Sequence, residues 1–290
     1  MTPAAEVVNV PTVLITGTSS GFGLVTAVEL AKRGWHVIAS MRDVAKRKPL
    51  DRALEDAGVS SNVRVEQLDV TDPASIERAV ANLDLAQKPL DAVIHNAGVA
   101  VGGAFEDLDE EHIRRVMEVN YFGVLALTKP LLPAFRAQKH GRIVIISSEA
   151  AFAGQPGNSP YSAAKWAVEG WAEAVAYELE HFNIDMILVE PGAYRTNIWE
   201  SSPRVLPKTS AYYPLMRHLE FTIDAHVAKT ARDPIEVAKA VAVALEAPRP
   251  RFRTAVGPTA KFMHITRGKL PSTVVRKLFS RFFSLNKVRW

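Results

Sequence analysis

The chain has 290 residues, about half of them apolar, and it contains no cysteine. This composition supplies a sizeable core and excludes disulfides, zinc–thiolate sites and thiol nucleophiles. The formal net charge of +4 is unevenly distributed, because eleven Lys or Arg residues follow the last acidic residue, Glu246. The segment through Glu246 carries 24 basic and 31 acidic residues, a net charge of −7, so the basic character belongs to the C-terminal tail.

The length suffices for one large α/β domain or two small ones. The first residues, 1–6, lack the charged start and the apolar run of a signal peptide. No apolar run reaches the roughly 18 residues that a membrane-spanning helix needs. We therefore expect a cytoplasmic protein.

A buried strand is predicted at residues 13–16, where an apolar, β-branched run leads into a glycine-rich turn. A helix is predicted to follow, with Gly34 as its stop. A glycine turn between a strand and a helix N-terminus favours phosphate: Gly17 permits the tight turn, Gly21 lets the backbone approach a pyrophosphate, and Gly23 lets the helix pack closely. The alternative is an ordinary loop. The turn residues are Gly17, Thr18, Ser19, Ser20, Gly21, Phe22 and Gly23.

The second predicted strand, 36–40, ends beside residues that distinguish two dinucleotides. An acidic side chain there accepts hydrogen bonds from the ribose hydroxyls of NAD, whereas an arginine pairs with the 2′-phosphate of NADP. Asp43 has the acidic spacing, about 20 residues past the glycines. However, Met41 occupies the strand end, Arg42 follows it directly, and residues 46–48 add positive charge. We therefore favour NADP(H) over NAD(H); the alternative for Arg42 is a plain surface arginine.

Two further strands are predicted at residues 63–68 and 92–95. A carboxylate just past the first of them, at Asp69, can accept a hydrogen bond from an adenine amino group. A glycine past the second, at Gly98, lets the chain pass close to a cofactor. The residues expected at the cofactor after these strands are Asp69, Val70, Asn96, Ala97 and Gly98.

Tyr161 and Lys165 are four residues apart and therefore lie on one face of a predicted helix. The ammonium charge favours the ionised phenol, and a phenol whose pKa is lowered in this way can exchange a proton with an alcohol or a carbonyl. Ser148 follows the predicted strand 143–146 and emerges at the carboxyl edge of the sheet, where ligands bind; its alternative role is a cap. Asn120 interrupts an apolar helical pattern, and its alternative role is a structural amide bonded to backbone.

With these motifs, the chain resembles the short-chain dehydrogenase/reductase family over about residues 10–247. The motifs follow the order and spacing of that family, and its glycine spacing differs from that of other dinucleotide folds. They are Thr16-Gly17-x-x-x-Gly21-x-Gly23, Asn96-Ala97-Gly98, Asn120, Ser148, Tyr161-x-x-x-Lys165 and Pro191-Gly192-x-x-x-Thr196. The branch that it resembles contains the 17β-hydroxysteroid and retinol dehydrogenases.

The resemblance implies an α/β fold: one doubly wound Rossmann-type domain over residues 1–258, with about seven parallel strands and helices on both faces. It implies that Tyr161 is the general acid/base, and that Lys165 binds the nicotinamide ribose and lowers the tyrosine pKa. It also implies that Ser148 hydrogen-bonds the reacting oxygen and that Asn120 holds a water. No metal is expected. The remaining cofactor contacts are expected from Pro191, Gly192 and Thr196.

Residues 193–232 depart from regular patterning, and the resemblance implies that this region closes over the substrate. Its length, aromatic content and prolines predict a lid with a helical part near 212–230. Its aromatic residues, together with Phe152, imply a sizeable apolar substrate. The side chains expected to contact that substrate are Ser148, Phe152, Tyr161, Tyr194, Ile198 and Trp199.

In the basic extension, 259–290, apolar residues recur at helical spacing amid Lys and Arg. We expect a helix that covers the substrate cleft or a neighbouring subunit. The alternative is peripheral membrane contact through a basic amphipathic helix. Nucleic-acid binding is not expected, because no recognition motif accompanies the charge.

The sequence thus predicts an NADP(H)-dependent oxidoreductase that interconverts an alcohol and a ketone or aldehyde on a hydrophobic, steroid-like or retinoid-like substrate. The resemblance also implies a homodimer or homotetramer, because the family pairs the helix of Tyr161 and the preceding long helix across an interface. The alternatives are a non-catalytic NADP(H)-binding module and a membrane-docked protein that acts through its tail. The presence of Tyr161, Lys165, Ser148 and Asn120 argues against the module.

Overall fold

A computed structural model describes residues 10–196, 198, 202–266 and 269–288. Apolar, β-branched runs form its strands, as the sequence pattern predicts. The strands are β1 (Thr12–Thr16), β2 (His36–Met41), β3 (Val63–Gln67), β4 (Ala92–His95), β5 (Gly102–Gly103), β6 (Gly141–Ile146), β7 (Ile184–Pro191), β8 (Arg204–Val205) and β9 (Arg253–Val256).

The main sheet of the described chain has seven parallel strands in the order β3-β2-β1-β4-β6-β7-β9. The strand order reverses at β1, which pairs Val13 with Val37 of β2 on one side and with Ala92 of β4 on the other. A crevice forms beyond the carboxyl ends of the strands at such a reversal, and ligands of doubly wound folds bind there. The predicted doubly wound parallel sheet is confirmed.

Helices alternate with the strands along the chain. They are α1 (Gly21–Lys32), α2 (Lys48–Ala57), α3 (Pro73–Asn82), α4 (Glu110–Met117), α5 (Gly123–Gln138), α6 (Ser159–Leu179), α7 (Tyr213–Thr230), α8 (Ile235–Glu246), α9 (Pro258–Thr266) and α10 (Ser272–Phe282). A π-helical turn, Glu118–Phe122, connects α4 and α5.

Two apolar cores cover the two faces of the sheet, because successive side chains of a strand point to opposite faces. Val13 and Ile15 of β1 enter one core, which α1, α2 and α8 cover. Leu14, between them, enters the other core with residues of α3, α5 and α6. Burial on both faces holds the strands in the sheet, and because the strands are parallel their carboxyl ends lie at one edge.

Most of the predicted lid, residues 193–232, and the C-terminal extension lie outside these two cores, although Tyr194 enters the first. β5 and β8 form a separate two-stranded parallel sheet, which joins the segment after β4 to the lid. Met216 and Leu219 of α7 are buried together with Phe283, the residue that follows α10. The extension therefore packs on the lid helix. Among the described residues, no helix has the length and apolarity needed to cross a membrane.

Candidate active site

The glycine turn after β1 has the tight geometry that its sequence predicts. Gly17 has a φ of +72°, and a Cβ there would lie 2.9 Å from Ala97 Cα. A Cβ on Gly23 would collide with the carbonyl of Gly17 and with the side chain of Asn96. Backbone can therefore approach the N-terminus of α1 only because these positions carry no side chain, which fits a pyrophosphate.

Asn96 fixes this turn to the end of β4. Its Nδ2 donates to the carbonyl oxygens of Thr16 at 2.8 Å and Gly17 at 3.0 Å. Thr16 Oγ1 accepts from the backbone N–H groups of Asn96 and Ala97, both at 2.9 Å. The sequence motif did not reveal the part that Thr16 plays. The two strand ends that flank the crevice are thus held as one unit.

Other residues predicted at the cofactor surround the same turn. Thr18 is fully buried, and its hydroxyl donates to Ser40 O at 3.1 Å, so this side chain stabilises the turn itself. Thr196 lies beside Gly21 at the end of the turn, since a Cβ built on Gly21 would be 3.6 Å from the Cβ of Thr196. Gly192 N donates to Val256 O at 3.0 Å, which holds the end of β7 beside β9.

The predicted cofactor residues at the ends of β2 and β3 differ in their exposure and in their contacts. Met41 is buried at the strand end, as predicted, and Arg42 is exposed. The carboxylate of Asp43 accepts from Ala45 N at 3.0 Å and so caps the turn that follows it. Asp69 is similarly engaged, since its Oδ1 accepts from the backbone and the hydroxyl of Thr71. Arg42 has no ion pair with another described residue, so its guanidinium can bind an anion.

Asn120 lies in the π-helical turn and is 1 % exposed. Its Nδ2 donates to Val99 O at 2.7 Å and to Val116 O at 2.9 Å, and its Oδ1 accepts from Val99 N at 3.2 Å. The side chain therefore makes the structural amide contacts that were the alternative to its water-binding role. A π-turn widens the helix locally, and such turns are frequent at functional sites.

Ser148, Tyr161 and Lys165 converge at the carboxyl end of β6. The Tyr161 hydroxyl hydrogen-bonds the Ser148 side chain, and Lys165 Nζ lies 5.5 Å from the centre of the tyrosine ring. Lys165 Nζ also donates to Ile146 O at 2.8 Å. Ser148 additionally caps a short helical turn, because its Oγ accepts from Ala150 N at 3.1 Å. Its two expected roles, site residue and cap, are compatible.

Burial controls the ionisation of this cluster. It raises the pKa of Tyr161 to about 12, although the hydrogen bond from Ser148 acts in the opposite direction. It lowers the pKa of Lys165 to about 8, and the charge of Glu169 partly offsets this. The Tyr–Lys spacing alone predicted a lowered tyrosine pKa, and that prediction is wrong for this structure. Burial of the phenol is the largest cause of the raised pKa, and the negative charge of Glu149 acts in the same direction.

A cavity opens beside Ser148, and the empty space in and in front of it, open solvent included, is about 1220 Å³. The lid helix α7 and the end of the C-terminal extension form its outer wall. Sequence reasoning placed both segments over the cleft but did not identify most of the wall residues. These include Glu149, Gln155, Asn158, Met216, Leu219, Ile223, Phe282 and Phe283.

Predicted substrate contacts fall in different places. Ile198 packs beside Tyr161 in a small apolar cluster. Tyr194 instead packs its ring on Phe22 at 5.7 Å, and its hydroxyl contacts Glu236 at 3.1 Å, so it belongs to the core rather than the cavity wall. Phe152 turns toward His264 of α9, 5.8 Å away, and is also absent from that wall. Trp199 lies outside the described residues.

Comparison with known proteins identifies the family. The family model described as short chain dehydrogenase matches residues 11–205, which is more than half of the chain. The chain therefore belongs to the short-chain dehydrogenase/reductase family.

Curated relatives match over most of the chain. The uncharacterized oxidoreductase YusZ of Bacillus subtilis is 36% identical over 280 residues, covering 92% of this chain and 98% of the relative. The 3-ketodihydrosphingosine reductase of Bacteroides thetaiotaomicron is 31% identical, covering 94% and 98%. Human retinol dehydrogenase 8 is 33% identical, covering 83% and 80%, which agrees with the predicted branch.

Solved structures with a similar fold are also known. A short-chain dehydrogenase from Streptomyces avermitilis superposes with a TM-score of 0.77 at 30% identity, covering 96% of this chain and 98% of that one. A short-chain dehydrogenase from Sphingobium yanoikuyae in complex with NADPH gives a TM-score of 0.69 at 28% identity, covering 93% and 96%.

Proposed function

We propose that this protein is an NADP(H)-dependent oxidoreductase that interconverts an alcohol and a ketone or aldehyde on a hydrophobic substrate. The convergence of Ser148, Tyr161 and Lys165 is the observation that carries this proposal, and Ser148 also lines a largely apolar cavity. A hydroxyl pair and a cation at one place can stabilise negative charge on a carbonyl oxygen and move a proton to it.

The residues at the glycine turn fit a dinucleotide. Gly17 and Gly23 leave room for backbone to approach a pyrophosphate, and Thr196 lies beside Gly21 at the start of α1. Arg42 favours the 2′-phosphate of NADP, because it is exposed without an ion partner among the described residues while Asp43 caps its own turn. The related structure from Sphingobium yanoikuyae contains NADPH, which supports the same preference.

When bound, NADPH supplies the hydride that reduces a carbonyl carbon, and NADP accepts it in the reverse direction. Ser148 donates a hydrogen bond to the carbonyl oxygen, and Tyr161 gives that oxygen its proton. The raised pKa of Tyr161 keeps the phenol protonated at neutral pH, which is the form that reduction requires. Lys165 then stabilises the phenolate that remains, and in alcohol oxidation the same proton returns to Tyr161.

Cavity size and lining favour a large apolar substrate. Met216, Leu219, Ile223, Phe282 and Phe283 supply aliphatic and aromatic surface that would bury a steroid, a retinoid or an alkyl chain. Two relatives are named for hydrophobic substrates, a retinol and a ketodihydrosphingosine. Because the end of the C-terminal extension forms part of the cavity wall, we assign this extension the role of covering the substrate.

Outward-facing apolar residues support a homo-oligomer. Trp166 and Tyr177 of α6 are 49% and 70% exposed, and they lie on one helical stripe with Gly170. A second copy of the chain that packed along α6 would bury this stripe. The family pairs the same helix across its dimer interface, so the stripe is the surface we assign to self-association.

Replacing Tyr161 by Phe tests the proposal directly. The variant should reduce kcat by about 10² to 10⁴-fold, because the proton donor is lost while the ring remains in place. Its affinity for NADPH, read by fluorescence of the reduced nicotinamide, should stay close to that of the unmodified protein. Tyr177→Phe, on the exposed face of the same helix, is the matched control. Unchanged turnover of hydrophobic ketones by Tyr161→Phe would refute the assignment.

A further inference from the structure

Glu149 places one buried carboxyl oxygen in the cavity wall. It directly follows Ser148, and its side chain forms part of the wall. Its Oε2 is inaccessible to water and has no hydrogen-bond partner among the described residues. Burial raises the pKa of this carboxyl to about 7. A buried carboxyl oxygen without a donor costs stability, and a ligand in the cavity could supply that donor.

Glu149 is held on a rigid turn rather than on a mobile loop. The turn is closed by Phe152 N, which donates to Glu149 O at 3.0 Å, and by the cap from Ser148 to Ala150 N. Trp166 Nε1 of α6 donates to Ala150 O at 3.0 Å and fastens the turn to the helix of Tyr161. The carboxyl group therefore has a fixed position relative to Ser148 and Tyr161, which suits recognition of substrate.

Other charged groups on the wall leave the cavity acidic. Arg204 is the single Lys or Arg among the described wall residues, and it pairs with both Glu220, at 2.9 Å, and Asp224, at 3.1 Å. His226 is neutral near pH 7, since burial lowers its pKa. No cation of the described wall thus balances Glu149, and a positively charged group on the substrate is the complementary partner.

We propose that Glu149 is a specificity-determining residue that pairs with an ammonium group on the substrate, close to the carbon that is oxidised or reduced. This inference rests on the proposed alcohol–carbonyl chemistry at Ser148 and Tyr161. The proximity is given by the sequence position next to Ser148 and by the effect of its charge on the Tyr161 phenol. The substrate class is then an amino alcohol or amino ketone with a long apolar chain, which the rest of the cavity buries.

The cofactor is an alternative partner for the Glu149 carboxyl group, as the position of Gly192 indicates. A Cβ there would lie 3.1 Å from Glu149 Oε2, so the carboxyl group also lies near the end of β7, where the resemblance implies cofactor contacts. An amide donor on the cofactor would satisfy the same oxygen. The experiment must therefore separate substrate recognition from cofactor binding.

Isothermal titration calorimetry with 2-aminododecan-3-ol and dodecan-3-ol tests the inference, with and without NADP and at about pH 8, where the amine is protonated. The unmodified protein should bind the amino alcohol about 10- to 100-fold more tightly than the plain alcohol, the range of a charge-assisted hydrogen bond. Glu149→Gln, which keeps the shape of the side chain, should abolish that preference and leave the affinity for dodecan-3-ol unchanged. Glu55→Gln, on the exposed face of α2, should retain the preference.

Three results would overturn the inference. These are an unmodified protein that binds both alcohols equally, a Glu149→Gln variant that keeps the preference, and a variant that weakens NADP binding instead. Turnover is scored separately with the same two alcohols. Preferential binding of the amine without any turnover would refute the oxidoreductase proposal and leave the role of Glu149 intact, whereas turnover without preference would do the reverse.

Discussion

Ser147 Oγ donates a 2.7 Å hydrogen bond to Glu169 Oε1 in the protein interior. Glu169 is 1% exposed and lies one helical turn beyond Lys165. Its negative charge raises the pKa of Lys165 against the larger lowering by burial. Arg253 approaches the second carboxylate oxygen of Glu169 at 3.4 Å. Glu169 is thus a positioning residue that helps to keep the buried lysine charged.

Replacing Glu169 by Gln should therefore lower the pKa of Lys165 further below about 8. Because the ammonium form is the active one, kcat/KM falls as pH rises through this pKa, and the fall should move to lower pH in the variant. A profile of kcat/KM between about pH 6 and 10 measures the shift. Glu173→Gln is the control, since Glu173 pairs with the same Arg253 at 2.9 Å but is half exposed. Identical profiles for the two variants would contradict the role of Glu169.

The exposed Arg42 should decide between the two dinucleotides. Arg42→Ala should raise the dissociation constant of NADP by about tenfold or more, because a charge-assisted contact to the 2′-phosphate is lost. The constant for NAD should change little, since NAD lacks that phosphate. Arg52→Ala serves as control, because Arg52 is a strongly exposed arginine of α2 with only a 3.9 Å contact to Asp56. Equal effects of Arg42→Ala on both cofactors would exclude the proposed preference.

His95, at the end of β4, is 3% exposed, and its Nε2 lies 2.9 Å from Thr128 Oγ1. Burial lowers its pKa from 6.5 to about 3. Between these values the unfolded chain binds a proton that the folded chain does not, so the free energy of unfolding falls as pH falls. The contribution of His95 between pH 7 and 5 is about 2 kcal/mol.

Urea unfolding at these two pH values should show a smaller loss of stability in His95→Gln than in the unmodified protein. The comparison uses the difference between the two pH values, because the substitution also disturbs the contact with Thr128. His140→Gln is the control, since the side chain of His140 is 53% exposed. The same pH dependence in His95→Gln and in the unmodified protein would show that His95 titrates normally.

Local patterns predicted the strands and the glycine turn, whereas the doubly wound fold and the roles of Ser148, Tyr161 and Lys165 came from the family resemblance. Strand ends at the carboxyl edge follow from the alternation of β-branched runs and helices, and the glycine turn follows from its own sequence. Whatever lies at those ends is brought together by the sheet. For this reason Ser148, which follows β6, and Tyr161, on α6, are expected at the same edge of the sheet.

Side-chain direction depends on tertiary packing, and there the sequence was a poor guide. Tyr194 and Phe152 have the aromatic character of substrate contacts, yet the neighbouring Phe22 and His264 offer them closer packing elsewhere. The unpaired state of Glu149 is likewise invisible in sequence, because it depends on which donors the fold brings near. Burial, which the spacing of Tyr161 and Lys165 does not reveal, reversed the expected direction of the tyrosine pKa.

Gly170 provides a steric test of the proposed self-association. A Cβ built there meets nothing within 4 Å, so Gly170→Arg should leave the fold of the single chain undisturbed. A second copy packed along the Trp166–Tyr177 stripe would meet the new side chain. We expect the variant to dissociate in sedimentation velocity, whereas Ala81→Arg, on the exposed face of α3, should not. An unchanged oligomer in Gly170→Arg would place the interface elsewhere.

Helix α10 and the following Phe283 carry two apolar stripes, one that packs on the lid helix and one that is partly exposed. Val275, Phe279 and Phe283 recur every fourth residue, and Phe279 and Phe283 pack on the lid. Val274 and Leu278 lie on the adjoining stripe and are 39% and 42% exposed. Lys277 and Arg281 flank that outer stripe, an arrangement typical of helices that bind anionic lipid surfaces.

Replacing Val274 and Leu278 together by Glu should abolish pelleting with vesicles that contain phosphatidylserine, because it removes apolar area and adds like charge. Turnover of a water-soluble ketone should persist, since neither Val274 nor Leu278 lines the cavity. Phe283→Ala should behave in the opposite way: it opens the cavity wall and raises KM for hydrophobic substrates without affecting pelleting. Equal pelleting of the double variant and the unmodified protein would leave α10 with the covering role alone.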